Sequence, residues 1–142
     1  MILCDVNVLI YAFRQDSHRH NDYRAWLSSQ LAGPANVAVS EFVLSSVVRI
    51  TTHPKVFIRP SGLDEALAFV DAVRGSPVSV PVVPGKRHWD VFCELCVRSE
   101  VKGNLVPDAY LAALAIESGS EWITTDRDYT RFPGLRWRHP LD

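Results

Sequence analysis

The stretch ILCDVNVLI, Ile2 to Ile10, constrains this chain more than any other. It is an almost unbroken apolar run, the pattern of a strand buried on both faces that leads into a helical turn. Strands of that kind belong to sheets covered by helices on two sides. One residue does not fit the run. Asp5 puts a carboxylate where an ionised group is costly unless a cation or several hydrogen-bond donors meet it. No Lys or Arg lies within eight residues of it.

The rest of the sequence continues the alternation. A first strand is expected over about Ile2 to Val6, followed by a short helix from Val8 to Phe13. RHNDYRAWLSSQLA reads as an amphipathic helix stopped at Gly33-Pro34. NVAVS reads as a strand, with Ser40 capping the helix EFVLSSVVRITTH before Pro54. LDEALAFVDAVRG is a further helix, and VSVPVVP is a strand that Pro81 confines to an edge. A longer helix is expected from near Lys86 to about Gly103. Pro107 suits the first position of the helix PDAYLAALAIESG. EWITTD is a strand with a helical turn after Asp126, and LRWRH closes as an edge strand. The pattern specifies an α/β fold with a mainly parallel sheet and helices on both faces.

With 142 residues, 47% apolar and 22% charged, the chain has the makeup of one globular domain, expected over 1–142. No apolar stretch approaches the roughly 20 residues of a membrane span. No basic region followed by an apolar core opens the chain, so a cytoplasmic location is expected. Three cysteines make no disulfide framework. The C-x-x-C of Cys93 and Cys96 lies inside a helical pattern without a second ligand pair, which argues for core residues over a zinc or redox site. Net charge is −1, but four acids gathered in one site would leave twelve against fifteen Lys and Arg, twelve of them Arg. Arginine's planar fork suits phosphates.

Ligands of open α/β sheets bind beyond the carboxyl ends of the strands. Asp5 ends the first strand, Glu41 follows the second, Asp126 ends WITT with Asp128 two residues on, and Asp108 opens the helix before that strand. Each has a local explanation as a helix-dipole or capping acid. Together they suggest one acidic site. Clustered carboxylates repel unless a divalent ion joins them, and an all-oxygen donor set suits Mg²⁺ or Mn²⁺. Such ions commonly serve phosphate chemistry.

At these residues the sequence resembles the PIN-domain ribonucleases of the VapC toxin family, which act in VapBC toxin–antitoxin pairs. LCDVNVLIYAF resembles the family's opening motif, VSEFVLSSVVRITTHPKVF its second acidic motif, VPDAYLAALAIESG its third, and WITTDRDYTRFPGLRW its terminal stretch. The four occur in order across essentially the whole chain. The resemblance implies a PIN-like three-layer α/β/α fold with a central, mainly parallel sheet of four to five strands. It implies a Mg²⁺-dependent endoribonuclease, with Mn²⁺ as a substitute, that cleaves tRNA or rRNA with a metal-activated water. Asp5, Glu41, Asp108 and Asp126 carry over as catalytic and metal-binding acids, with Asp128 as a further candidate ligand. Asn7 and Thr124 match auxiliary positions. A cognate VapB-like antitoxin and a homodimer are the implied partners.

Arg14, Arg19 and Arg24, with His18, His20 and Tyr23, suggest a rim that grips RNA, as do Arg127 and Arg131; a solvated loop and helix face is the competing reading. Trp26, Phe42, Phe69, Trp89 and Trp122 are expected in the core or an interface, and Asp90 and Glu94 on a solvated face. Two other functions compete. An aspartate-based phosphotransfer domain needs a lysine after a late strand, which WITTDRDY lacks. A non-catalytic PIN-fold module binding RNA or protein would be indifferent to metal.

Overall fold

A computed structural model describes residues 1–142. Its elements run β1 (Ile2–Cys4), α1 (Val6–Phe13), α2 (His20–Leu31), β2 (Val37–Val39), α3 (Glu41–Thr51), α4 (Leu63–Arg74), β3 (Ser79–Pro81), α5 (His88–Arg98), α6 (Leu105–Ser118), β4 (Glu121–Ile123), a 3₁₀ turn (Arg127–Arg131) and β5 (Trp137–Arg138). The five strands form one sheet in the order β3-β2-β1-β4-β5, and every pairing is parallel. Six helices flank it: α1 packs on α2 and α3, α3 on α4, and α5 on α6. The expected α/β/α fold is the one observed. No helix is long and apolar enough to cross a membrane.

The core is the physical reason for the first strand. Leu3, Trp122 and Ile123 are almost completely buried, joined by Val8, Val43 and Val47 from α1 and α3. Four alanines of α6 (Ala109, Ala112, Ala113, Ala115) are fully buried, and their small side chains let that helix lie close. Pro81 ends the edge strand β3, where its missing N–H costs no ladder bond.

Several boundaries differ from expectation. β1 stops at Cys4 because Asp5 takes the N-cap of α1, its carboxylate accepting from the Val6 N–H at 2.7 Å. α1 therefore starts two residues early. Pro107 is the third residue of α6, a position whose N–H has no intrahelical partner in any case. α5 is shorter than expected. Glu117, on α6, accepts from the Gly85 and Arg87 N–H groups at 2.7 and 3.0 Å and holds the turn from Gly85 to His88 ahead of the helix.

Strand order decides where a site can form. From β1 the chain builds outward through β2 to β3, then returns to place β4 on the other side of β1. The connections diverge between β1 and β4, which leaves a crevice at the carboxyl ends of those two strands. Cys4 pairs with Ile123 in that register, and the Asp5 N–H donates to the Ile123 carbonyl at 2.8 Å. Asp5 is thereby fixed beside the segment that begins at Thr124.

Candidate active site

Asp5, Asp108 and Asp126 line one open cleft of about 330 Å³, together with Asn7, Phe42, Ser46, Arg49 and Tyr129. Each carboxylate is held by a different device. Asp5 is 7% exposed. One of its oxygens accepts from Val6 N–H, and the other accepts from the Thr124 hydroxyl at 2.6 Å. Thr124 is completely buried, and its oxygen also accepts from the Asp126 N–H at 3.0 Å, so a single hydroxyl ties the ends of β1 and β4 together. Asp126 caps the 3₁₀ turn by accepting from the Asp128 N–H at 2.9 Å. Asp108, in the first turn of α6, accepts from the Tyr129 hydroxyl at 3.3 Å.

Burial, reinforced by Asp108 and Asp126, pushes Asp5 up from 3.8 to about 6, against the opposing pull of its two hydrogen bonds. Burial raises Asp108 as well, with Asp126 and Asp128 adding to it while Tyr129 and Arg131 oppose it. The Tyr129 phenol is driven far up by burial and by the three acids, so it stays a donor. The cleft thus carries negative charge that the protein's own hydrogen bonds only partly compensate. Removing the Thr124 hydroxyl takes away a donor to ionised Asp5. Thr124→Val is expected to raise the Asp5 pKa further; a carboxyl NMR titration showing an unchanged value would contradict that.

This donor set fits a divalent cation. It is made of oxygens, and one oxygen each of Asp108 and Asp126 has no partner within the chain. As they stand, no three His, Cys, Asp or Glu side chains surround one point closely enough to hold an ion between them. The aspartates border an open cleft, an arrangement suited to a cation that keeps several waters and binds through one or two carboxylates.

Glu41, expected as a fourth acid of the site, is not among the residues that line this cleft. Its carboxylate lies on Arg74 of α4, 3.0 Å away, and is largely exposed. The reason is helical phase. Phe42, Ser46 and Arg49 share a stripe at i, i+4 and i+7 that faces the aspartates, and Glu41 stands about 100° around the helix from Phe42. Asp128 is exposed beside the cleft and paired with Arg131 at 3.9 Å.

The arginines expected on an RNA rim divide. Arg14 is 8% exposed and its guanidinium is engaged: a bidentate pair with Asp16, bonds to the Arg59 carbonyl and the Ser61 hydroxyl, and a face 3.9 Å from the Phe57 ring centre. It clamps the loop after α3 to the end of α1, and four of its five N–H donors are spent within the chain. Arg19 pairs with Asp22, and Arg24 lines a separate apolar cavity among α1, α2 and α4. Arg127 is exposed in the 3₁₀ turn, and Arg131 lies near enough to Asp108 to stabilise its charged form. Trp122 is in the core as expected, but Phe42 and Trp89 are 54% and 64% exposed. All three cysteines are free, and burial pushes the Cys4 thiol up to about 12, which makes it inert.

Sequence pattern alone does not single out Tyr129, Phe42, Ser46 and Arg49 as site residues. The period of the α3 stripe was present in the sequence, but nothing there says which stripe meets the acids.

The chain matches the PIN domain family over residues 2–135. It is 39% identical over 142 residues to the VapC ribonuclease Mb2897 of Mycobacterium bovis, covering all of this chain and 97% of the relative. Its fold is similar to a chain of the VapBC2 structure from Rickettsia felis bound to a promoter DNA fragment, with a TM-score of 0.72, 18% identity and 98% of each chain covered. It is also similar to Mycobacterium tuberculosis VapC20, described as a sarcin–ricin loop cleaving toxin, with a TM-score of 0.67, 21% identity and coverage of 96% and 99%. With an aspartate cleft at the switch point of a PIN fold and close relatives along its whole length, this chain belongs to the PIN domain family, among the VapC ribonucleases.

Proposed function

We propose that the cleft hydrolyses phosphodiester bonds in RNA and that the protein is the toxin of a toxin–antitoxin pair, held in check by a VapB-like antitoxin. The convergence of Asp5, Asp108 and Asp126 at the β1–β4 crevice carries this reading. These three residues would hold Mg²⁺, or Mn²⁺ in its place, with Asn7 as a neighbouring polar group and Asp128 at the margin. Such an ion, when bound, neutralises phosphate charge and lowers the pKa of water.

The protein's own contribution is orientation. Thr124 and the Val6 N–H fix both Asp5 oxygens, Tyr129 steadies Asp108, and the Asp128 N–H sets Asp126. Each acid enters the cleft with its direction set before substrate arrives, which is the arrangement preorganised catalysis requires. Structured RNA of the translation machinery, tRNA or rRNA, is the proposed target, in the cytoplasm, with the protein acting as a homodimer. The cleaving description of VapC20 supports the choice of rRNA among these.

The test compares wild type with Asp108→Asn on total RNA, in Mg²⁺, Mn²⁺ or chelator, mapping new 5′ ends. Cuts at a few sites that need both the metal and Asp108 are expected. Cuts that survive chelator or appear equally with Asp108→Asn would overturn the reading.

A further inference from the structure

One wall of the cleft carries a cation and an aromatic ring to which nothing so far assigns a task. Arg49 lines the same cleft as three aspartates, yet it joins none of the chain's ion pairs, which engage Arg14, Arg19, Arg74, Arg98, Arg131 and Arg138. An arginine that served to balance the acids would close on one of them. Arg49 is exposed, and its guanidinium has no partner within the chain and is free for an anion from outside.

Phe42 lies seven residues away on the same face, about 10 Å along the helix axis. Its ring is 54% exposed and is backed by Tyr110, with ring centres 6.1 Å apart, and Tyr110 is in turn wedged against His88 and Phe92. The ring is therefore propped from behind with its outer side open. Ser46, between the two, donates its hydroxyl to the Phe42 carbonyl at 2.9 Å and offers the cleft no charge.

A cation for a phosphate and a propped aromatic for a base, on one face beside hydrolytic carboxylates, match the two parts of an unstacked nucleotide. Resting on the ribonuclease reading, we infer that Arg49 and Phe42 are substrate-binding residues: Arg49 takes a backbone phosphate next to the bond being cut, and Phe42 stacks on an adjoining unpaired base. Because a base inside a duplex has both faces covered by its stacked neighbours, this stripe favours single-stranded or looped RNA over duplex.

The test uses a mixed-sequence single-stranded RNA oligonucleotide, alone and annealed to its complement, with wild type, Arg49→Gln and Phe42→Leu. Arg49→Gln is expected to lower kcat/KM about tenfold, chiefly through KM. In an Asp5→Asn background that does not cleave, it should make the plot of log Kd against log salt shallower by about 0.7, one phosphate contact on a single strand. Phe42→Leu is expected to cost about five- to tenfold in KM for single strands and little for duplex. If wild type cleaves and both variants match it, the inference fails alone. It also fails if losses are confined to thermal stability or to kcat, since the stripe is then structural, or if Phe42→Leu changes oligomeric state without changing KM. If wild type neither binds nor cleaves RNA, the ribonuclease reading fails and the inference with it.

Discussion

Asp5→Asn is expected to abolish RNA cleavage while making the metal-free protein more stable. Partners that merely orient a metal ligand are worth about 10- to 100-fold, so loss of a ligand oxygen should cost about a hundredfold or more in rate. The gain in stability follows from the Asp5 pKa. A folded value of about 6 against an ordinary 3.8 means that the native state binds the Asp5 proton more tightly than the unfolded chain does. The stability this supplies is fully present below about pH 4 and is lost as pH rises through about 6, roughly 3 kcal/mol in all. Asparagine has no such slope. It keeps the shape but gives up about 1 kcal/mol of hydrogen bonding, leaving a net gain of about 2 kcal/mol near neutral pH.

Denaturant unfolding in chelator, wild type minus variant at each pH, isolates this contribution from Asp16 and Glu117, whose lowered pKa values act in the opposite direction. The difference should favour wild type by about 1 kcal/mol in acid, cross zero as pH rises towards 6, and favour the variant by about 2 kcal/mol at neutrality. A difference that is flat with pH, or a variant less stable at neutral pH, would show that Asp5 is not strained by its burial. Adding Mg²⁺ should raise the stability of wild type and leave Asp5→Asn nearly unmoved.

Arg14→Gln is expected to cost about 2–3 kcal/mol of stability and to leave the salt dependence of RNA binding unchanged. The guanidinium makes four hydrogen bonds to three partners, and glutamine can reach at most two of them. Removing it takes the donor from the Arg59 carbonyl and the planar cation off Phe57. The loop of residues 52–62 should then exchange its amide hydrogens faster than the sheet does. A variant with wild-type stability, or one with a shallower salt slope, would return Arg14 to the RNA-binding surface. The contrast with Arg49→Gln is sharp: one arginine holds the fold, and the other waits for a phosphate.

The sequence made most of the architecture legible, because periodicity is local. Val37–Val39, Glu41–Thr51 and Leu63–Arg74 lie where apolar spacing, the Ser40 cap and glycine stops put them. The ends were less legible where a distant group intervenes. The start of α5 is set by Glu117, some thirty residues on, and β1 ends at Cys4 because Asp5 caps a helix instead of extending a strand.

By itself, then, the sequence determined an α/β sheet with acids at its carboxyl edge, since burial pattern and strand-end position are properties of a segment. Only the tertiary structure decided which acids meet. Parallel register put Asp5 against Thr124 and Asp126, and the packing of α6 added Asp108. The rotation of α3 sent Glu41 to Arg74 and turned Phe42 and Arg49 toward the cleft. Helical phase relative to a neighbouring sheet is fixed by packing, and no single segment contains it.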